Sequence, residues 1–251
     1  MSKLAAIILT KNEENNITDV IANVRKCADE VIVVDSGSAD QTVALAEQSG
    51  AKVFYRAWDN DFAAQRNFAL DKTDAEYVLY LDADERISAA LLAEVRAVVA
   101  GGELKQYSFM RRIQAFGMEY RHGIFAPDEV ARLFPRTKVH WENKVHERPV
   151  CQLPKIKLQG FVDHYTYASW QQWLDKAGQY TTIWAEANFV NGKRVSKSAA
   201  FYHGSYGFLR AYFLQLGFLD GWAGLYSSLQ HLFYTLMKYW KLYELQQKNS
   251  K

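Results

Sequence analysis

Short apolar runs and stripes of helical period take turns along the first part of the chain. Leu4 to Leu9 is a continuous apolar run, too short for a helix, and it stops at Thr10-Lys11-Asn12-Glu13-Glu14; it reads as a fully buried strand. Asn15 or Asn16 is placed to cap a helix in which Ile17, Val20, Ile21, Val24 and Ala28 recur at helical spacing. Val31 to Val34 is the next buried strand and ends at Asp35. Ser38 and Gln41 form a capping-box pattern ahead of Val43, Leu45 and Ala46, and Gly50 stops that helix. Lys52 to Tyr55 is a third strand. Asn60 or Asp61 opens a helix with Phe62, Arg66, Ala69 and Leu70. Tyr77 to Leu81 is the fourth strand, and Ser88 caps a helix bearing Leu91, Leu92, Val95 and Val99 that Gly101-Gly102 closes.

This alternation predicts an α/β fold with a mostly parallel sheet covered on both faces. Ligands of such sheets bind beyond the carboxyl ends of the strands. Three strands end there in polar residues: Thr10 to Glu14, Asp35, and the run Asp82-Ala83-Asp84-Glu85. Asp82 and Asp84 lie two residues apart, which on an extended backbone points them the same way and suits a hard divalent cation. An acidic pair of this kind also occurs in ordinary turns. No G-x-G-x-x-G follows the first strand and no G-x-x-x-x-G-K-S/T is present, which argues against dinucleotide and P-loop folds.

With 251 residues and 49% hydrophobic content, the chain has room for one large domain or one domain with an appendage. A net charge of +2 does not imply nucleic acid. The charge is uneven, however. From Gly192 onward Lys193, Arg194, Lys197, Arg210, Lys238, Lys241, Lys248 and Lys251 face only Asp220 and Glu244. Cys27 and Cys151 have no metal or disulfide spacing; Cys27 reads as core, which suits a reducing compartment. The amino terminus does not read as a signal peptide.

Ser169 is placed to cap a helix with Trp170, Trp173, Leu174, Ala177, Tyr180, Thr181 and Trp184 on one side. Phe208 to Leu219 and Trp222 to Tyr243 are two further amphipathic stretches. Arg210, Asp220, Gln230, His231 and Lys238 interrupt any run of membrane-spanning length. These helices read either as a cover or oligomer interface, or as an interfacial membrane patch of interleaved aromatic and basic residues.

The motifs T-K-N-E-E at Thr10, V-D-S-G-S-A-D-Q-T at Val34 and L-D-A-D-E at Leu81 occur in that order. Together they resemble the nucleotide-binding half of a family 2 glycosyltransferase with the GT-A fold. The resemblance implies a UDP-sugar donor and a divalent cation, Mg²⁺ or Mn²⁺. It places Thr10, Asn12 and Glu14 in the nucleotide-sugar site, Asp35 on the uracil ring, Asp82 at the ribose and Asp84 on the metal. Q-R-N at Gln65 also matches and implies that Arg66 sits near the nucleotide; the alternative for Arg66 is a solvated helix face.

Further along, E-V-A-R-L-F-P at Glu129, W-E-N-K-V-H-E at Trp141, D-H-Y-T at Asp163, G-F-L-D-G at Gly217 and K-Y-W-K-L-Y-E-L at Lys238 resemble a narrower group. It includes the bacterial lipopolysaccharide core glucosyltransferases. That implies a GT-A domain over 1–167, a helical region over 168–251, and addition of a hexose, glucose in the first instance, to a lipid-linked saccharide acceptor at the inner leaflet. Another polysaccharide, a protein acceptor, or a nucleotidyltransferase reaction are the alternatives. The usual E-D base pair is absent, and V-H-E stands in its place. Glu147 is the candidate general base and His146 its runner-up. His164 is a candidate third metal ligand or else a hydrogen-bonded histidine. Arg132 and His146 are candidates for holding the acceptor. No Q-x-x-R-W signature of processive synthases is present, which implies addition of a single sugar. The expected setting is cytoplasmic, with peripheral membrane contact, no nucleic acid, and a homo-oligomer left open.

Overall fold

The computed structural model describes residues 3–143 and 147–249. Its first part alternates as the apolar pattern requires: β1 Leu4–Thr10, α1 Ile17–Val24, β2 Glu30–Asp35, α2 Thr42–Gln48, β3 Lys52–Tyr55, α3 Phe62–Leu70, β4 Tyr77–Asp82, β5 Glu85–Ile87 and α4 Ala89–Gly101. The remainder holds β6 Gln106–Ala115, β7 Met118–Glu119, β8 Asp128–Pro135, β9 His140–Glu142, β10 Arg148–Val150 and β11 Lys155–Tyr167. Three long helices follow: α5 Trp170–Val190, α6 Ala199–Leu209 and α7 Trp222–Lys248.

The main sheet runs β3-β2-β1-β4-β8-β6-β11-β5, with β7 paired to β6, and β9 and β10 form a separate hairpin. β3, β2, β1 and β4 are mutually parallel. The sheet then turns antiparallel, at β4 with β8, β6 with β8 and β11 with β5. This mixed sheet flanked by helices is the GT-A fold.

Alternation along the central strands explains why both faces are covered. Ala6, Ile8, Val31, Val33, Leu79 and Leu81 pack against Ile17, Val20, Ile21 and Val24 of α1 and Leu91 and Val95 of α4. Ala5, Ile7, Ile32, Val34, Val78 and Tyr80 face the other way, against Ala63 and Ala69 of α3 and Phe134 and Trp141. Each fully buried Ile or Leu contributes about 1.5–3 kcal/mol relative to exposure. Caps fix the helix starts: Asp61 accepts from the Ala64 amide at 2.8 Å, Ser88 from Leu91 and Ser169 from Gln172.

The predicted Ser38 capping box does not form. α2 starts at Thr42, and the Ser38 hydroxyl instead donates to Asp35 while accepting the Asn12 amide. Cys27 packs against the first core, where burial pushes its thiol up to about 12.

The chain divides into two compact units. One comprises Met1–Arg111 with Asp128–His164, and the other Arg112–Pro127 with Tyr165–Lys251. Among the described residues no helix is long and apolar enough to cross a membrane.

Candidate active site

Strand register brings the polar strand ends into line. Thr10 stands opposite Asp35, and Leu9 opposite Asp82, at the carboxyl ends of β1, β2 and β4. All the site residues described below belong to the first unit.

Thr10, Asn12 and Glu14 brace the turn after β2. Asn12 accepts the Ala39 amide at 2.8 Å, and its own amide donates to Ser38 Oγ. Glu14 accepts the Gln41 amide at 3.1 Å. Asp35 is buried, and its carboxylate accepts from the amides of Gly37 and Ser38, both at 2.9 Å, and from the hydroxyls of Ser38 and Thr10, the last at 3.2 Å. Those four donors match the roughly four lone-pair directions of a carboxylate. Gly37 at φ +94° lets the turn present its amide.

β4 ends at Asp82, and Ala83 and Asp84 form a turn into β5. The two carboxylates therefore do not sit on one extended strand as their spacing predicts, and they take different partners. Asp82 Oδ1 accepts from Arg66 Nη2 and Oδ2 from Arg132 Nη2, both at 3.0 Å. Burial opposes its charge, but Arg132 and Arg66 outweigh that and hold Asp82 well below the usual carboxylate range. Asp84 Oδ2 instead meets His164 Nε2 at 3.1 Å. β11 delivers that histidine, because it pairs with β5 so that His164 lies opposite Glu85. Burial disfavours the imidazolium, yet Asp84 and Glu85 prevail and raise its pKa.

Arg66 is only 3% exposed, so it does not lie on a solvated helix face. Its Nη2 also reaches Glu147 Oε1 at 3.2 Å, and Nε reaches the same oxygen at 3.4 Å. The guanidinium rests 4.7 Å from the Trp141 ring centroid. Neighbours within Q-R-N fix this pose. Asn67 and Trp141 exchange two hydrogen bonds of 2.8 Å, which tie β9 to α3. Gln65 donates to the carbonyls of Arg56 and Ala57.

Arg132 is buried rather than displayed, held by Asp82 and, at 3.7 Å, by Glu85. Both carboxylates raise its pKa against the effect of burial. His146 lies outside the described residues.

Sequence reasoning missed Glu85 and Arg111. Glu85 is fully buried; its Oε2 accepts the Asp82 amide at 3.0 Å and its Oε1 lies 3.6 Å from Arg111. Burial and Asp82 push its carboxyl upward. The one sequence signal was the acid directly following D-A-D. Arg111 meanwhile forms a two-bond pair with Asp128, at 3.0 and 2.9 Å.

Among the described residues no group of three or more His, Cys, Asp or Glu is arranged to hold a metal. Asp84 and His164 nonetheless set a carboxylate oxygen and an imidazole nitrogen side by side. That donor set fits a cation whose other positions go to substrate phosphates and water. Nη1 of Arg66 and of Arg132 and Nδ1 of His164 are buried and carry no protein hydrogen bond.

Residues 5–143 match the sequence profile of Glycosyl transferase family 2. The chain is 31% identical to an uncharacterized glycosyltransferase of Rickettsia felis, over 97% of this chain and 90% of that one. It is 28% identical to the lipopolysaccharide core biosynthesis glycosyltransferase LpsC of Rhizobium meliloti, over 96% and 92%. Among solved structures, glucosyl-3-phosphoglycerate synthase from Mycobacterium tuberculosis, in complex with Mn²⁺, UDP and glucosyl-3-phosphoglycerate, aligns with a TM-score of 0.40 and 20% identity. The alignment covers 54% of this chain and 57% of that one.

Proposed function

The chain belongs to glycosyl transferase family 2, and from that premise we propose that it adds one hexose, glucose from UDP-glucose, to the inner core of lipopolysaccharide or a related lipid-linked saccharide, with inversion at the anomeric carbon. One observation carries the reading: Asp82, Arg66, Arg132, Asp84, His164 and Glu147 gather beyond the carboxyl ends of the strands, the ligand end of an open α/β sheet. The likeness to LpsC along nearly the whole of both chains supports the acceptor.

The chemistry assigns each group a task. An acceptor hydroxyl oxygen attacks the anomeric carbon, the bond from that carbon to the diphosphate breaks, and the hydroxyl proton passes to a carboxylate. Glu147 takes that proton. Both of its bonds from Arg66 fall on Oε1, which leaves Oε2 as the oxygen to receive the proton. Asp82, neutralised by two guanidiniums, accepts ribose hydroxyls. Arg66, whose buried Nη1 has no protein partner, would donate to the departing phosphates as charge grows on them. Asp84 and His164 would hold a divalent cation, which supplies Lewis-acid stabilisation of the leaving diphosphate. Asp35 reads the pyrimidine by exchanging its longest donor, the Thr10 hydroxyl. Family membership sets aside the nucleotidyltransferase alternative.

The test is UDP release from a panel of UDP-sugars with Mn²⁺ or Mg²⁺, with and without heptose-terminated core saccharide, followed by assignment of the product anomer. Metal-dependent turnover of UDP-glucose that core saccharide accelerates is expected. Failure to turn over any UDP-sugar, or retention of configuration, overturns the proposal. Acceleration by a different polysaccharide or by a protein moves the acceptor and leaves the donor reading intact.

A further inference from the structure

In the second unit, the hairpin of α6 and α7 is built inside out for a protein in water. Most of its buried positions are small or polar, among them Gly204, Gly207, Ala211, Gly217, Gly224 and Ser228, with Leu242 the large apolar exception. The glycines are spacing elements. A Cβ on Gly224 would collide with the Gly217 carbonyl, and one on Gly207 would meet the His231 ring at 2.9 Å. Leu232 and Leu236 pack against Gly204 in the seam, but many of the other large apolar side chains point outward. Phe201, Leu209, Phe213, Leu219, Leu214 and Trp222 are all more than half exposed, the last two at 74%. Large exposed apolar patches mark binding surfaces. Helices that meet through small residues and turn apolar side chains outward are what a lipid environment favours.

Charge in the same stretch has one sign. From Ala199 to Tyr243 the sequence contains a single acid, Asp220. That carboxylate is turned inward: its side chain is 6% exposed, lies 2.6 Å from His122 Nδ1 and accepts the amides of Arg121 and His122. Arg210 remains exposed at the turn. Farther along α7 from the turn, the ammonium groups of Lys238 and of Lys193 share the face of Trp184, at 4.7 and 4.8 Å, and neither has a carboxylate partner among the described residues. By contrast Lys241 is withdrawn into the fold, donating to the Gly178 carbonyl and the hydroxyls of Thr181 and Thr182.

We propose that the turn between α6 and α7, with Phe213, Leu214, Leu219 and Trp222 at its surface, inserts into one leaflet of an anionic lipid bilayer as an interfacial anchor. A second copy of the chain is the weaker occupant, because a two-fold contact sets the same patch against itself and brings cation against cation. Aromatic side chains at such a turn suit the headgroup level, and the exposed Arg210 beside them meets lipid phosphates. No span is involved, in keeping with the absence of a crossing helix among the described residues. The proposal rests on the surface of this unit and not on the assignment of donor or acceptor.

The experiment is vesicle flotation of the full chain, using phosphatidylcholine vesicles and an equal mixture with phosphatidylglycerol, at low and high salt. It is run beside the variant Leu214→Glu/Trp222→Glu. The native chain floats with the mixed vesicles, and a large part of that binding survives high salt because apolar burial drives it. The double variant loses about tenfold or more of the bound fraction. It keeps its circular dichroism and its UDP release, so a failure of membrane binding is separate from a failure of the catalytic reading. The proposal is overturned if the native chain stays with the soluble fractions on both vesicles, or if the double variant floats like the native chain. It is equally overturned if the native chain is a dimer in solution that this variant turns into monomers while lipid binding is absent.

Discussion

Nε2 of His164 lies 3.1 Å from Oδ2 of Asp84, across 80 positions of sequence. β11 pairing with β5 creates this contact, and nothing in the local spacing of D-A-D foretells it. Asp84→Ala should abolish metal-dependent UDP release. His164→Ala should weaken metal binding in the presence of UDP at least as much as the ~10–100-fold typical of losing an outer-shell partner. A metal-bound imidazole must be neutral, and the pKa of His164 is raised. Affinity should therefore fall as pH drops through a value above the ordinary 6.5 or so of histidine, and His164→Ala should flatten that dependence. Calorimetry with Mn²⁺ and UDP decides; a variant with native affinity and native pH profile removes His164 from the metal site.

Asp35 is enclosed by four donors, and a pyrimidine N–H can reach it only by displacing one. Asp35→Asn should weaken UDP binding by about 1–3 kcal/mol, the scale of a charge-assisted hydrogen bond. It should also loosen the turn, since an amide nitrogen would face donors. Thr10→Val removes the donor that is exchanged and should leave UDP affinity nearly unchanged. If Asp35→Asn lowers the melting temperature without altering UDP affinity, Asp35 only shapes the turn.

The parallel half of the sheet was legible because β1, β2 and β4 are buried on both faces and read as unbroken apolar runs bounded by capping residues. β6 and β11 were not, because their half-buried faces mix apolar and polar positions without a clean period. The acids at the strand ends could be seen, but their partners could not. Arg66 and Arg132 approach Asp82 from α3 and β8, and Glu85 disappears beneath it, through registers that only the folded sheet defines. Ser38 misled the reading for a related reason: its hydroxyl met Asp35 in space before it could cap a helix.

Arg66 bonds Asp82 and Glu147 through one nitrogen and adds a second contact to Glu147 from Nε. Lysine would keep the charge but lose the fork that spans both carboxylates. Arg66→Ala should destabilise the fold by about 1–3 kcal/mol, at the low end for a broken buried pair because Asp82 keeps Arg132. Arg66→Lys should recover part of that stability while still losing transfer activity. Urea unfolding and steady-state transfer rates measure the two effects. Native transfer by Arg66→Lys would reduce Arg66 to a plain counter-charge.

In the second unit His122 and two backbone amides hold Asp220 below the usual carboxylate range, although burial acts the other way. A depressed folded pKa contributes stability above the unfolded value of about 3.9, and that contribution is lost as pH falls through the folded value. Asp220→Asn should therefore lower the melting temperature at neutral pH by an amount corresponding to about 1–3 kcal/mol. The gap from the native chain should close as both are acidified below the carboxylate range. Thermal unfolding across pH reads it directly; a gap that widens in acid contradicts the assignment.

Glu147 is the group whose removal should separate binding from chemistry. Its side chain is 20% exposed, enough to meet an acceptor, and Arg66 anchors it through Oε1 alone. Glu147→Gln keeps the shape and an oxygen for Arg66, so the site around Asp82 should remain assembled. It removes the capacity to take a proton together with the charge paired to Arg66, whose other carboxylate partner Asp82 remains. UDP-glucose affinity should stay near native, while transfer to core saccharide falls about a hundredfold or more, the usual cost of losing a general base. A structural role would give the opposite split, with donor affinity and stability falling together. If transfer by Glu147→Gln persists near the native rate, the proton goes elsewhere. His146→Ala is then the next variant to measure, because it is the titratable neighbour in the same V-H-E run.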